Sequence, residues 1–170
     1  MKSKCAPVSL VLLLTALLGC ETTPRRTYST ELQPHENAAE LQAISTEVHR
    51  LVNAHRASLD APELQRHPRL DQIARQHSAA MAQGAPFSHS GFSRRATQAR
   101  TVADFFRASE NLAYNFGHAD PAARAMETWL DSSAHRREME RATFRLTGIG
   151  VARTPDGKYF FTQLFLHPKR

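Results

Sequence analysis

Three residues of this chain could do chemistry together: His89, Glu110 and His135. Each lies in a short polar or aromatic segment that secondary structure alone does not require; the segments are Phe-Ser-His at 87–89, Glu-Asn-Leu-Ala at 110–113 and Ser-Ser-Ala-His-Arg at 132–136. Two neutral imidazoles and one carboxylate would leave an open coordination position on a zinc ion, with His89 and His135 as its candidate ligands. Alternatively, Glu110 would accept a hydrogen bond and orient an imidazole, or all three residues would form a polar network that holds loops together.

The first half of the chain must supply helices that position His89. Apolar residues at helical spacing, beginning with Leu41 and Ile44, predict a first helix over residues 38–58. A second helix is predicted between Pro68 and Gly84, with His77 on its apolar face as a core histidine bonded to backbone or a neighbour. Residues 85–99 are predicted to form a loop that carries His89, and residues 104–106 a short helical turn before Glu110.

The second half changes from helices to strands. Asp120-Pro121 predicts a helix start, with Asp as the N-cap and Pro at the first helical position. Ser132 or Ser133 is predicted to cap another short helix, which holds His135. Residues 146–153 and 159–166 are rich in branched and aromatic residues and predict a terminal hairpin. Helices first and a hairpin last indicate an α+β layer fold.

The N-terminus predicts export. Two lysines precede an apolar run over residues 6–18, which is too short to span a bilayer. The run ends in Leu-Leu-Gly-Cys, which resembles a lipobox, the processing signal of bacterial lipoproteins. We therefore predict a lipoprotein signal peptide at 1–19, acylation of Cys20 with a polar tether over 20–37, and one domain at 38–170. The glutamate after Cys20 favours the outer membrane in a host that has one.

Composition excludes several classes of function. The only other cysteine, Cys5, lies in the predicted leader, so the mature domain has no thiol nucleophile and no disulfide. The net charge is +6, but the basic residues alternate with acidic ones, as over 136–141. This mixture indicates a solvated face and no nucleic-acid partner. The chain has no His-Glu-x-x-His, Gly-x-Ser-x-Gly, phosphate-loop or dinucleotide motif.

As a set, the three segments resemble the CAP superfamily, named for cysteine-rich secretory proteins, antigen 5 and pathogenesis-related proteins and also called the SCP domain. The resemblance spans about residues 41–166 and includes Asn-x-x-Arg at 53–56 and Trp129. It implies an α–β–α sandwich around a small antiparallel sheet, with a cavity lined by His89, Glu110 and His135. Many members carry a further glutamate where this chain has Ser132. The resemblance also implies binding of sterols, lipids or small apolar molecules, as in some relatives.

Three functional hypotheses follow. In the first, the chain is a lipid-anchored CAP protein of the bacterial envelope, held in the bilayer by acylated Cys20, whose cavity binds a small apolar ligand or a divalent ion without catalysis. In the second, it is a metal-assisted hydrolase of envelope polymers or peptides, with Glu110 as general base on a metal-bound water. In the third, it is a surface interaction module with a purely structural cavity.

Overall fold

The computed structural model describes residues 34–169, with side chains from residue 37 onward. The predicted signal peptide, Cys20 and the tether up to residue 33 lie outside the described residues. Within them, the secondary structure follows the order α1 (Pro34–Ala57), β1 (Gln65–Arg66), α2 (Pro68–Ala82), α3 (Phe92–Ala99), β2 (Phe105–Asn115), α4 (Pro121–Asp131), α5 (Ser133–Glu140), β3 (Leu146–Arg153) and β4 (Tyr159–Pro168). No helix in this part of the chain is long and apolar enough to cross a membrane.

Helix α1 begins four residues earlier than predicted, at Pro34. Proline has no backbone N–H, and the first helical position leaves that donor without a partner in any case, so proline starts a helix readily. The last four residues assigned to the tether therefore belong to α1. Helix α2 confirms the predicted second helix, with Leu70, Ile73 and Met81 on its buried face.

Two local predictions were wrong. The segment assigned to a loop contains α3, in which Phe92, Ala96 and Ala99 repeat at helical spacing. Residues 105 and 106 begin β2 and do not form a helical turn. They are held in a strand because β4 extends to Pro168, which pairs with Phe105 across an irregularity in register between Phe105 and Arg107. Glu110 consequently lies on a strand.

The second-half elements agree with their sequence signals. The Asp120 side chain accepts a hydrogen bond from Ala123 N at 2.9 Å, which confirms it as the N-cap of α4. Ser132 occupies the cap position of α5, although its hydroxyl makes no capping hydrogen bond. Strands β3 and β4 form the predicted antiparallel hairpin, with Leu146 opposite Leu166 and Arg153 opposite Tyr159.

The sheet has the strand order β1-β3-β4-β2, so β2 is an edge strand. Strand β2 runs antiparallel to β4, with Glu110 opposite Leu164 and Asn115 opposite Tyr159. The two-residue β1 pairs with β3 in parallel, so the sheet is not wholly antiparallel as expected. Strand β2 therefore pairs with β4 alone, and its outer edge is open to side chains from neighbouring loops and helices.

Helices cover both faces of the sheet, which confirms the α+β architecture. On one face, residues of α1, α4 and α5 join Phe161 and Phe165 in a core that contains the fully buried Trp129. On the other, α2 and α3 pack on Leu164 and Leu166. Helix α2 approaches so closely that a Cβ on Gly150 would lie 2.1 Å from Arg75 N. Gly148 and Gly150 therefore leave the space that this close packing of α2 needs.

Candidate functional site

Glu110 is the buried centre of the candidate site. Arg95 Nε donates to Glu110 Oε2 at 2.6 Å, and Arg95 Nη2 donates to Glu110 Oε1 at 2.8 Å. His89 Nδ1 lies 2.9 Å from the same Oε1. Since a carboxylate only accepts, Nδ1 carries the proton in this contact. Both carboxylate oxygens thus hold a partner, and Glu110 orients the ring of His89.

Arg95 was not among the residues selected from the sequence, yet it joins the site most tightly. Its side chain is 7% exposed and that of Glu110 is 2% exposed. Arg95 Nη1 also donates to Ser90 O at 2.9 Å, so the guanidinium ties the loop before α3 to β2. The helical repeat of Phe92, Ala96 and Ala99 was the available signal, because it would have placed Arg95 on a helix near His89.

His89 presents its ring to solvent. The side chain is 53% exposed, although its Nδ1 is fixed by the buried Glu110. His77, on α2, contacts the same loop, since its Nε2 lies 3.1 Å from Ser88 O. The prediction of a backbone-bonded histidine there is confirmed. Burial, followed by the positive charge of Arg95, lowers the pKa of His77, so this ring is neutral near pH 7.

His135 approaches from the other side of the edge strand. Its backbone oxygen accepts a hydrogen bond from Asn111 Nδ2 at 3.0 Å, which fixes the first turn of α5 against β2. In the described part of the chain, its buried Nδ1 has no hydrogen-bond partner. Burial, and then the charge of His89, lowers the pKa of His135. His135 therefore joins the site as a neutral imidazole without a direct hydrogen bond to Glu110.

A pocket of about 420 Å³ opens beside His135. Its wall is formed by both apolar and polar side chains: Phe87, Leu112, Ala113, Tyr114, Asn115, Phe116, His118, Arg124, Thr128 and His135. The rings of Phe87 and Tyr114 meet edge to face, with centroids 5.0 Å apart. These aromatic residues could not be selected from the sequence, because alternation along β2 does not reveal which face of the strand leaves its rings uncovered.

Comparison with known proteins identifies the family. A profile of the cysteine-rich secretory protein (CAP) family matches residues 49–165, which include His89, Glu110 and His135. The chain belongs to the CAP family. This confirms the resemblance drawn from the three sequence segments.

Known CAP-type structures share the fold of this chain. An extracellular protein of Bacillus anthracis that contains an SCP domain is 26% identical, with a TM-score of 0.67 over 83% of this chain and 45% of the other. An outer surface protein of Borrelia burgdorferi is 19% identical, with a TM-score of 0.65 over 75% of this chain and 95% of the other. An uncharacterized membrane protein of Bacillus subtilis is 35% identical over 98 residues, or 56% of this chain. The chain spans only 26% of the length of that membrane protein.

The metal-binding hypothesis does not fit this CAP domain well. Among residues 34–169, no three His, Cys, Asp or Glu side chains lie close enough together to hold a metal ion. Glu110 gives both oxygens to Arg95 and His89, so it is not available as a third ligand. The same contacts oppose a general-base role, because both carboxylate oxygens already accept hydrogen bonds from Arg95 and His89.

Proposed function

We propose that this CAP protein is anchored to the bacterial envelope and binds a small apolar molecule in the pocket beside His135, without catalysis. The observation that carries the proposal is the composition of that pocket: aromatic and aliphatic side chains form much of its wall, polar side chains form the rest, and the neutral imidazole of His135 is among them. Apolar walls with a few polar groups are typical of small-molecule sites. The imidazole would hydrogen-bond to a single hydroxyl or carboxyl group on an otherwise apolar ligand.

The polar network beside the pocket supports binding over catalysis. Arg95 and Glu110 are hydrogen-bonded to each other, and the same carboxylate holds His89 in one orientation. Such a network fixes the loop that carries Phe87 to the sheet, and Phe87 forms one wall of the pocket. The role of Glu110 is then to preserve the shape of the pocket.

Location outside the cytoplasm is the second part of the proposal. It rests on the apolar leader and on Leu-Leu-Gly-Cys ending at Cys20. The similar Bacillus anthracis protein is extracellular, and the similar Bacillus subtilis protein is a membrane protein. A lipid anchor would keep the pocket close to a source of apolar molecules.

The ligand proposal is tested with cis-parinaric acid, a fluorescent fatty acid, titrated into the chain from residue 20 to 170. We expect saturable one-to-one binding, and a loss of at least about tenfold in affinity when Tyr114→Ser and Phe116→Ser are combined. Phe106→Ser is the matched control, because Phe106 is an exposed aromatic residue outside the pocket. Absence of saturable binding, or equal loss in the control, would contradict the proposed site.

The anchor is tested separately in cells. Cys20→Ser in the full-length protein should move it from the membrane fraction to the soluble exported fraction. Cys5→Ser removes a cysteine from the predicted leader and should leave the distribution unchanged. Retention of the Cys20→Ser protein on membranes would exclude acylation of Cys20 as its anchor.

A further inference from the structure

One end of the sheet carries exposed aromatic rings. Phe87, Tyr114 and Phe116, which we call the aromatic end, are 44%, 52% and 59% exposed. The ring of Tyr114 lies 6.1 Å from that of Phe160, and a Cβ on Gly157 would lie 3.6 Å from Phe116. These rings therefore form a contiguous patch at the β3–β4 turn. A contiguous apolar patch marks an interaction site more often than apolar residues scattered singly over a surface do.

The start of α1 lies at the same end. The phenol of Tyr159 donates to Glu40, and Arg153 Nη1 lies 3.7 Å from the other oxygen of that carboxylate. Tyr159 pairs with Asn115, the residue between Tyr114 and Phe116. The polypeptide leading from Cys20 therefore joins the domain beside the aromatic end. Fourteen peptide steps separate Cys20 from Pro34, which limits the distance between them to on the order of 50 Å even when fully extended.

The charges at this end largely cancel. Arg153 lies against Glu40, and Arg124 Nη1 donates to Glu127 at 3.1 Å. Lys158 Nζ lies 5.7 Å from the centre of the Tyr114 ring, and the same turn carries Asp156. A near-neutral surface rich in aromatic rings is suited to the headgroup layer of a bilayer, where aromatic side chains concentrate, more than to a polyanion.

We propose that the aromatic end lies against the headgroup layer of the membrane that holds Cys20. This inference rests on the lipid anchor of the proposed function and extends it, since the exposed residues Phe87, Tyr114 and Phe116 also line the pocket. The pocket then opens toward the bilayer, and its ligand enters from lipid without crossing water. The opposite end of the sheet, with Phe106, faces away.

The orientation is tested with tryptophan reporters on tethered protein. The chain from residue 20 to 170, which retains the whole described domain, is coupled through the Cys20 thiol to a maleimide phospholipid in phosphatidylcholine vesicles with brominated acyl chains. Trp129 is the only native tryptophan and is fully buried. The tryptophan introduced by Phe116→Trp adds fluorescence to that of Trp129. The bromines should quench at least about half of this added fluorescence, because the headgroup layer borders the acyl chains.

Phe106→Trp is the matched control. Phe106 is 69% exposed, more than Phe116, and lies about 30 Å away along β2. Its added fluorescence should be unaffected by brominated lipid. Equal quenching of both reporters, or quenching of neither, would overturn the proposed orientation. Because the coupling is chemical, the result does not depend on acylation in cells, which the Cys20→Ser fractionation decides; the two failures are therefore distinguishable.

Discussion

Arg95 and Glu110 form a buried, doubly hydrogen-bonded ion pair between α3 and β2, with donor–acceptor distances of 2.6 and 2.8 Å. The pair connects a short helix to the edge strand of the sheet at the place where His89 is held. Its two partners are 15 residues apart in sequence, and each has little contact with water.

Arg95→Met should be strongly destabilising, because it leaves the Glu110 carboxylate buried without its countercharge. We expect a loss of about 3–5 kcal/mol in the free energy of unfolding, measured by urea denaturation. Arg94→Met is the control, since Arg94 is the exposed neighbour on the same helix; it should change stability by less than about 0.5 kcal/mol. A loss of under 1 kcal/mol in Arg95→Met would show that the pair is not structurally important.

Gly150→Ala should prevent α2 from packing on the sheet. The added methyl would lie 2.1 Å from Arg75 N and 2.2 Å from the Ala74 carbonyl carbon, and backbone cannot yield as a side chain does. We expect a loss of at least about 3 kcal/mol, seen in the urea midpoint or as failure to accumulate folded protein. Gly84→Ala meets open space and adds only the strain of its positive φ, about 1–2 kcal/mol. Equal effects of the two changes would contradict the steric explanation.

Asn111→Ala should loosen α5 without disturbing α4. It removes the hydrogen bond to His135 O, at a cost of about 1–3 kcal/mol. Asn115→Ala is matched, because Asn115 Nδ2 donates to Pro121 O at 2.9 Å, at the start of α4. Hydrogen exchange should accelerate over 133–140 in the first variant and over 121–131 in the second. The reverse pattern, or no regional difference, would exclude this clamping role.

Acidification below neutral pH should destabilise the protein partly through His135. Its pKa is lowered in the folded state by burial and by the charge of His89. The unfolded chain therefore binds the proton first, so stability from this group is complete above the ordinary histidine pKa of about 6.5 and decreases as pH falls toward the folded pKa. The free energy of unfolding of the wild type should decrease between pH 7.5 and 5.5.

His135→Leu should make this decrease smaller, measured by urea unfolding at both pH values. His118→Leu is the control, because His118 is an exposed histidine that lines the same pocket; it should leave the pH dependence as in the wild type. If the free energy of unfolding of His135→Leu still decreased with acidification as much as that of the wild type, another group would be responsible. His77, whose pKa is also lowered, would be the first candidate.

Much of this protein was determined by neighbouring residues and could be predicted. The Asp120-Pro121 cap and the two strands around the turn at 154–157 depend on local chemistry, so both could be predicted from the sequence. Three short segments also sufficed to indicate the family and to select His89 and Glu110, which the fold brings into contact. The start of α1 at Pro34 was encoded locally too, but the polar residues up to 37 were interpreted as a tether.

Only the tertiary structure decided the rest. Phe105 lies in a strand because β4, some 60 residues later, extends to Pro168 and pairs with it. Arg95 reaches Glu110 because α3 packs on α2 and the sheet, and that contact depends on the fold of both. The aromatic end likewise combines a loop residue, the end of β2 and the β3–β4 turn. Local sequence specifies dihedral preferences and caps, whereas these contacts depend on which distant segment covers which face of the sheet.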